Sequence, residues 1–255
     1  MFIDTHSHIH FRKEFPDVEE ILARAKLAGV SRQIIVGCTV KDSYEALEFV
    51  KAHKDFSLWA TLGVHPHNAN DWNDEISERF RLTVQHEKKV VALGEMGLDY
   101  FRNFQPKDVQ EKAFREQLLL AKDLDLPVVV HVRDAWEDAL NILHESGNTK
   151  VILHCFTGEL QYAKTCWERG YHTSFSGVLT YPKNEYLREV ARQAPAENIL
   201  LETDCPYLTP QVLRGKRNEP AFMVETAKVL AEARGVKLEK IGEQTTSNAL
   251  KLFGV

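Results

Sequence analysis

The sequence predicts an α/β fold, a (β/α)8 TIM-like barrel, and three observations lead to it. Eight short apolar runs recur along the 255 residues. Two of them, Ile34-Ile35-Val36 and Val128-Val129-Val130, lack in-and-out alternation, which is how strands buried on both faces of a parallel sheet read. Patterns at helical spacing separate the runs, and eight strand-then-helix units fit a closed barrel better than a doubly wound sheet of roughly five to seven strands.

In chain order the expected strands are Phe2 to Ile3, Gln33 to Cys38, Leu58 to Val64, Val90 to Gly94, Pro127 to Val132, Val151 to Cys155, Thr173 to Leu179 and Ile199 to Leu201. Helical spacing is clearest at Val18, Ile21, Leu22 and Ala25, then at Phe114, Leu118 and Ala121 in a segment laced with Lys, Glu and Gln, then at Met223, Ala227 and Leu230. Asp17, Asp74, Asp134 and Asn218 stand where such patterns begin, as caps or first-turn residues do. Thr209 to Glu219, rich in turn residues, is expected as a long loop after strand eight, and Val236 to Phe253 as a closing helical segment. No linker or composition break divides the chain, so residues 1–255 are expected to form one domain.

Composition is that of an ordinary globular protein, 44% hydrophobic and 27% charged. A formal net charge of -5 argues against a broad basic face for nucleic acid or anionic membrane, so an anionic substrate must be held locally. The four cysteines, Cys38, Cys155, Cys166 and Cys205, contain no C-x-x-C pair and suit a reducing compartment. The N-terminus has no basic-then-apolar leader, and no stretch approaches the roughly 18 apolar residues of a span. A cytoplasmic protein without membrane association or an evident obligate protein partner is expected.

Residues that close barrel strands face the C-terminal mouth, where such barrels place their chemistry. Strand one closes with His6-Ser7-His8, strand three with His65-Pro66-His67, strand four with Glu95, strand five with His131, strand six with His154 and strand eight with Asp204. His6 and His8, one residue apart, point to one side of an extended chain. Histidine makes up only 11 of the 255 residues, so its repeated placement at strand ends is hard to ascribe to packing. His6, His8, Glu95, His131, His154 and Asp204 exceed the three protein ligands usual for one catalytic zinc and suit two divalent ions sharing a carboxylate, with Glu95 as the bridge. The strand-four run contains no lysine that carboxylation would turn into a bridge; Lys88 and Lys89 precede it. Nitrogen and oxygen donors admit zinc, manganese, iron, nickel or magnesium. Cys155 and Cys205, next to ligands, are expected to turn away as small buried hydrophobes.

These residues resemble the TatD-like metal-dependent deoxyribonucleases nearly end to end. The resemblance runs through Asp4-Thr5-His6-Ser7-His8, Gly63-Val64-His65-Pro66-His67, Gly94-Glu95-Met96-Gly97-Leu98-Asp99-Tyr100, His131-Val132-Arg133-Asp134-Ala135, His154-Cys155-Phe156-Thr157-Gly158, Glu202-Thr203-Asp204-Cys205-Pro206-Tyr207-Leu208-Thr209-Pro210 and Arg217-Asn218-Glu219-Pro220. It implies a TIM-like barrel of the metal-dependent hydrolase type, with His6, His8, Glu95 and Asp204 around one ion and Glu95, His131 and His154 around the other. DNA as substrate, single-stranded and trimmed from an end, is likewise implied by the resemblance rather than by charge.

In two-metal hydrolysis a water is activated and phosphoryl charge neutralised, and Asp204 is expected both to bind metal and to accept the water's proton. His65 is expected to hydrogen-bond the phosphate or the leaving oxygen, with His67 more plausibly a turn histidine. Arg133 and Arg217 are candidates for bidentate phosphate contacts, Tyr100 for stacking on a base, and Glu202 for a supporting hydrogen bond beneath Asp204. Trp59, Trp72, Trp136 and Trp167 are expected in the core or loops. Nearly the same ligands would serve an ester or amide hydrolase, such as an aminoacyl-tRNA deacylase or a small-molecule amidohydrolase. A metal-loaded protein that binds nucleic-acid ends without turnover is the reading from a different class.

Overall fold

Eight parallel strands form one sheet in the order β1 to β8 in the computed structural model, which describes residues 1–255. They are β1 (Phe2–Ser7), β2 (Val30–Val36), β3 (Ser57–Leu62), β4 (Val90–Asp99), β5 (Val128–Arg133), β6 (Val151–Leu153), β7 (His172–Phe175) and β8 (Ile199–Leu201). The first and last strands meet at the mouth. Ser7 bridges Cys205 in parallel, the His8 amide donates to the Cys205 carbonyl and the Asp204 amide to the His6 carbonyl, both at 2.9 Å, so the sheet closes into a barrel.

Helices α1 (Val18–Leu27), α2 (Val40–Ala52), α3 (Asp74–His86), α4 (Lys107–Asp123), α5 (Trp136–Ser146), α6 (Leu160–Glu168), α7 (Glu185–Gln193), α8 (Met223–Arg234) and α9 (Leu238–Phe253) follow or enclose the strands. Helices such as α4 turn a buried stripe, here Ala113, Phe114, Leu118 and Ala121, against the outward-facing strand residues. Within the barrel, Ile3, Ile34, Val129, Ile152 and Leu200 pack together with Ala249 and Phe253 of α9. The interior is therefore a filled core, and only the mouth is free for chemistry.

The expected strands are present with shifted ends. β4 continues past Glu95 to Asp99. β7 stops at Phe175, because Val178 and Leu179 are buried in a 3-10 turn; a buried turn is as apolar as a buried strand. The caps differ too. Asn73, not Asp74, caps α3 by accepting the Ile76 amide proton at 3.1 Å. Asp17 precedes α1 without a capping bond, Asp134 stands one residue before the Ala135 cap of α5, and Asn218 pins the loop after β8 by donating to the Thr203 and Tyr207 carbonyls. The closing helix begins at Leu238 rather than Val236, just after Gly235 ends α8 in the left-handed region.

Candidate metal centre

The six residues expected as ligands converge at the mouth. From the end of β1 and just beyond it, the Nε2 atoms of His6 and His8 stand 3.2 Å apart, and Asp204 Oδ1 lies 3.7 and 3.4 Å from them. From β5 and from the end of β6, His131 Nδ1 and His154 Nε2 stand 3.3 Å apart. Glu95 lies between the two groups. Its Oε2 is 3.4 Å from His6 Nε2, and its Oε1 is 3.0 Å from both His131 Nδ1 and His154 Nε2. One carboxylate thus offers an oxygen to each side.

Local backbone features make this convergence. Strict alternation from the inward-facing Ile3 would turn His6 outward, and the irregular register between Asp4 and Ser7 brings it back to the mouth. A Cβ on Gly63 would overlap the backbone of Gly94 and Glu95, and one on Gly97, at φ +137°, would overlap the His131 carbonyl. Only glycine at both positions lets β3 and β5 approach β4 where Glu95 is presented. Asp204 leaves β8 with φ +55°, a conformation Asp tolerates better than most residues.

The far nitrogens of three imidazoles fix which atom each turns to the centre. His8 Nδ1 donates to the Val36 carbonyl at 2.8 Å. His131 Nε2 is 3.3 Å from Asp99 Oδ2, and His154 Nδ1 is 3.3 Å from Glu202 Oε1, which also accepts the Cys155 amide proton at 2.7 Å. A neutral imidazole carries one proton, so a partner at the far nitrogen leaves a lone pair facing inward. Lone pairs facing one another at these spacings, beside two carboxylates, fit divalent cations. His6 Nδ1 is buried without a partner.

Protonation follows the same layout. Burial disfavours charge on Glu95, yet the imidazoles of His154, His65 and His131 hold its carboxyl well below the usual range. Asp204 is likewise held low, with His8 and His6 outweighing burial. His154 is pushed well above the ordinary histidine value by Glu95 and Glu202 against its burial, and His131 is raised by Asp99 and Glu95, also against burial. His8 rises beside Asp204 despite burial, whereas burial and His154 push His6 down.

A cavity of about 1030 Å³ opens over these groups, with His8, His65, Glu95, His131, His154 and Asp204 among its lining. His65 Nδ1 accepts the His67 amide proton at 3.1 Å, and burial lowers its pKa to about 4. With Nδ1 accepting, the neutral ring carries its proton on Nε2, 3.4 Å from Glu95 Oε1; His65 also stands with Glu95 and His131 in a group that could hold a metal ion. His67 binds Asp99 at 2.8 Å.

Arg133 lines the cavity, its guanidinium 3.9 Å above the Phe101 ring. Arg217 does not join it: the side chain pairs with Asp17 at 2.9 Å and the Glu14 carbonyl and lies over Phe15. Nor does Tyr100, whose hydroxyl donates to Glu111 at 3.1 Å while Lys107 covers its ring at 3.9 Å. Both belong to segments after the strand proper, where period two no longer sets direction. Glu202 takes the supporting place expected of it. Cys205 is fully buried, but Cys155, at φ +42°, leaves the extended path and lines the cavity beside Ser176. Asp99 and Cys38 were not foreseen. Cys38 Sγ lies 3.5 Å from Glu95 Oε2, and the rule that strand-closing residues face the mouth, applied to strand two, would have found it.

The family model for TatD related DNases matches residues 3–254. The chain belongs to that family. It is 40% identical to YabD, a metal-dependent hydrolase of Bacillus subtilis, over the full length of both chains. It is 38% identical to the 3′-5′ ssDNA/RNA exonuclease TatD of Pantoea ananatis, with 94% of each chain covered. The solved structure of YJJV, a TatD homolog from Escherichia coli, superposes with a TM-score of 0.93 at 32% identity, covering 100% of this chain and 98% of that one. The protein is thus a metal-dependent hydrolase of the TatD family on a TIM barrel, its candidate ligands gathered at the mouth. No helix is long and apolar enough to cross a membrane.

Proposed function

We propose that the chain, read as one domain over residues 1–255, is a two-metal exonuclease that hydrolyses phosphodiester bonds of single-stranded DNA. The observation that carries this reading is Glu95, with one oxygen toward His6 and the other toward His131 and His154. His6, His8, Glu95 and Asp204 would hold one divalent ion, and Glu95, His131 and His154 the other, with zinc, manganese or magnesium compatible with these donors. Bound there, the ions supply Lewis-acid activation of water and neutralise charge on the phosphoryl oxygens. Asp204, kept ionised by His8 and His6, accepts the proton of the attacking water. The His65 Nε2–H donates to the phosphate or the departing oxygen, and Arg133 engages a phosphate at the mouth. Arg217 and Tyr100 take no part in this arrangement. The relatives' name supports attack from the 3′ end and RNA as a second substrate. Four free thiols support a reducing, cytoplasmic setting.

The test is a gel time course on 5′-labelled single-stranded DNA, with metal-stripped protein restored by magnesium, manganese or zinc beside a Glu95→Gln control. Progressive shortening that the control abolishes is expected. Intact DNA under every metal, with turnover of an aminoacyl or small-molecule ester, would replace the nuclease reading by an ester hydrolase on the same ligands. Metal-dependent retention of uncut DNA would make it a binding protein.

A further inference from the structure

We propose that the mouth carries two base-binding subsites, Phe104 and Tyr207, which stack on unpaired bases on either side of the hydrolysed linkage. The proposal rests on the nuclease reading above and adds how a single strand is held and a duplex refused.

Exposed apolar side chains on a surface need no explanation when scattered singly. Of the large hydrophobic residues that are exposed, however, only Phe104 (63%) and Tyr207 (55%) line the cavity over the metal centre. They come from the loops after β4 and β8, which are four strands apart in a ring of eight and so stand on opposite sides of the mouth. Each leans toward the centre in an edge-to-face arrangement, Phe104 with its centroid 4.7 Å from that of His67 and Tyr207 6.4 Å from His8.

Their neighbours are treated differently. Phe101 is covered by Arg133 and Tyr100 by Lys107. Tyr181, which also lines the cavity, is covered by Arg214 at 4.6 Å. Phe104 and Tyr207 have neither a cation over the ring nor a ring stacked on a face. An uncovered aromatic face beside a phosphate-cleaving centre suits a base, because every base offers a π-face of its own.

The electrostatics agree. Arg102, Arg133 and Lys183 line the same cavity and meet the phosphates between the bases, yet the chain as a whole carries a formal charge of -5. With so few cations, stacking must supply a large share of the affinity. A volume of about 1030 Å³ slightly exceeds the roughly 300–1,000 Å³ of small-ligand pockets, leaving room for more than a small ligand. Paired bases inside a duplex present no free face to either ring, so the same two residues select single strands.

The experiment measures fluorescence anisotropy of the metal-loaded enzyme with a labelled single strand whose terminal linkages are phosphorothioates, and with the same strand made abasic at each of its last positions in turn. Phe104→Ala and Tyr207→Ala should each raise Kd by about ten-fold or more, and Phe104→Tyr and Tyr207→Phe should restore binding. Each alanine effect should vanish on a strand abasic at one particular position, the two positions being different. The double variant should lose most of the preference for single strand over duplex. Equal losses on intact and abasic strands, or no loss at all, would overturn the subsites while leaving the nuclease standing. An enzyme that binds no strand and cleaves only esters would instead remove the nuclease reading itself.

Discussion

The two halves of the candidate metal centre use the same residue types but are backed differently. On the β1/β8 side, His8 rests on a neutral carbonyl, that of Val36, and His6 Nδ1 has no partner. On the β4 to β6 side, His131 and His154 rest on carboxylates, Asp99 and Glu202. A carbonyl orients a ring, whereas a carboxylate also makes its inward nitrogen a stronger base and a stronger ligand. If the centre holds two ions as proposed, the difference predicts their order of affinity: the half backed by Asp99 and Glu202 should keep its metal, and the half at the barrel seam should exchange.

The largest effect is expected from removing what the halves share. Glu95→Gln should abolish turnover and weaken both sites at once, read by metal content after gel filtration and by the nuclease assay; a variant that lost only one ion would show that Glu95 serves one side. Next, Asp99→Asn or Glu202→Gln should lower affinity in the second half by about 10–100-fold and leave the seam site close to wild type. Titration with a graded chelator should show the seam ion leaving first in the native enzyme, and a reversed order would break the comparison.

Acidity gives a smaller and graded effect. His8, His131 and His154 have raised pKa values without metal, so they hold protons above the ordinary histidine value of about 6.5, and a metal must displace those protons. Affinity should therefore rise with pH above the ordinary histidine value, more steeply in the second half, where both imidazoles are raised, than at the seam, where His6 is lowered. Calorimetry in buffers of different ionisation enthalpy would count the protons released. The smallest effects should come from Arg217→Ala and Tyr100→Phe, which leave KM for DNA within about two-fold because neither side chain reaches the cavity; a loss comparable to that of Arg133→Ala would show that the loop after β8 closes over substrate.

The barrel and its candidate ligands were legible for a physical reason. Buried parallel strands have a fixed composition, and a polar residue that ends one must face the mouth, so His6, His8, Glu95, His131, His154 and Asp204 could be picked out from their positions. Glu202 was legible from period two alone. Arg217 and Tyr100 were not, because their directions depend on Asp17 and Glu111, partners set by loop paths with no period. Asp99 was hidden by the unexpected length of β4, and the apolar turn Gly177–Thr180 passed for strand because burial, not backbone shape, governs such a run.

The closure of the barrel through His6, His8, Asp204 and Cys205 also sets when the enzyme can exist. Its first two candidate ligands leave the ribosome almost at once, while the carboxylate that would complete their site is 196 residues later than His8, a wait of about 10–40 s at ordinary elongation rates. Through that interval the nascent chain, tethered beside messenger RNA, has no finished seam site. A two-metal site of the proposed kind can therefore be complete only once the last strand docks against the first.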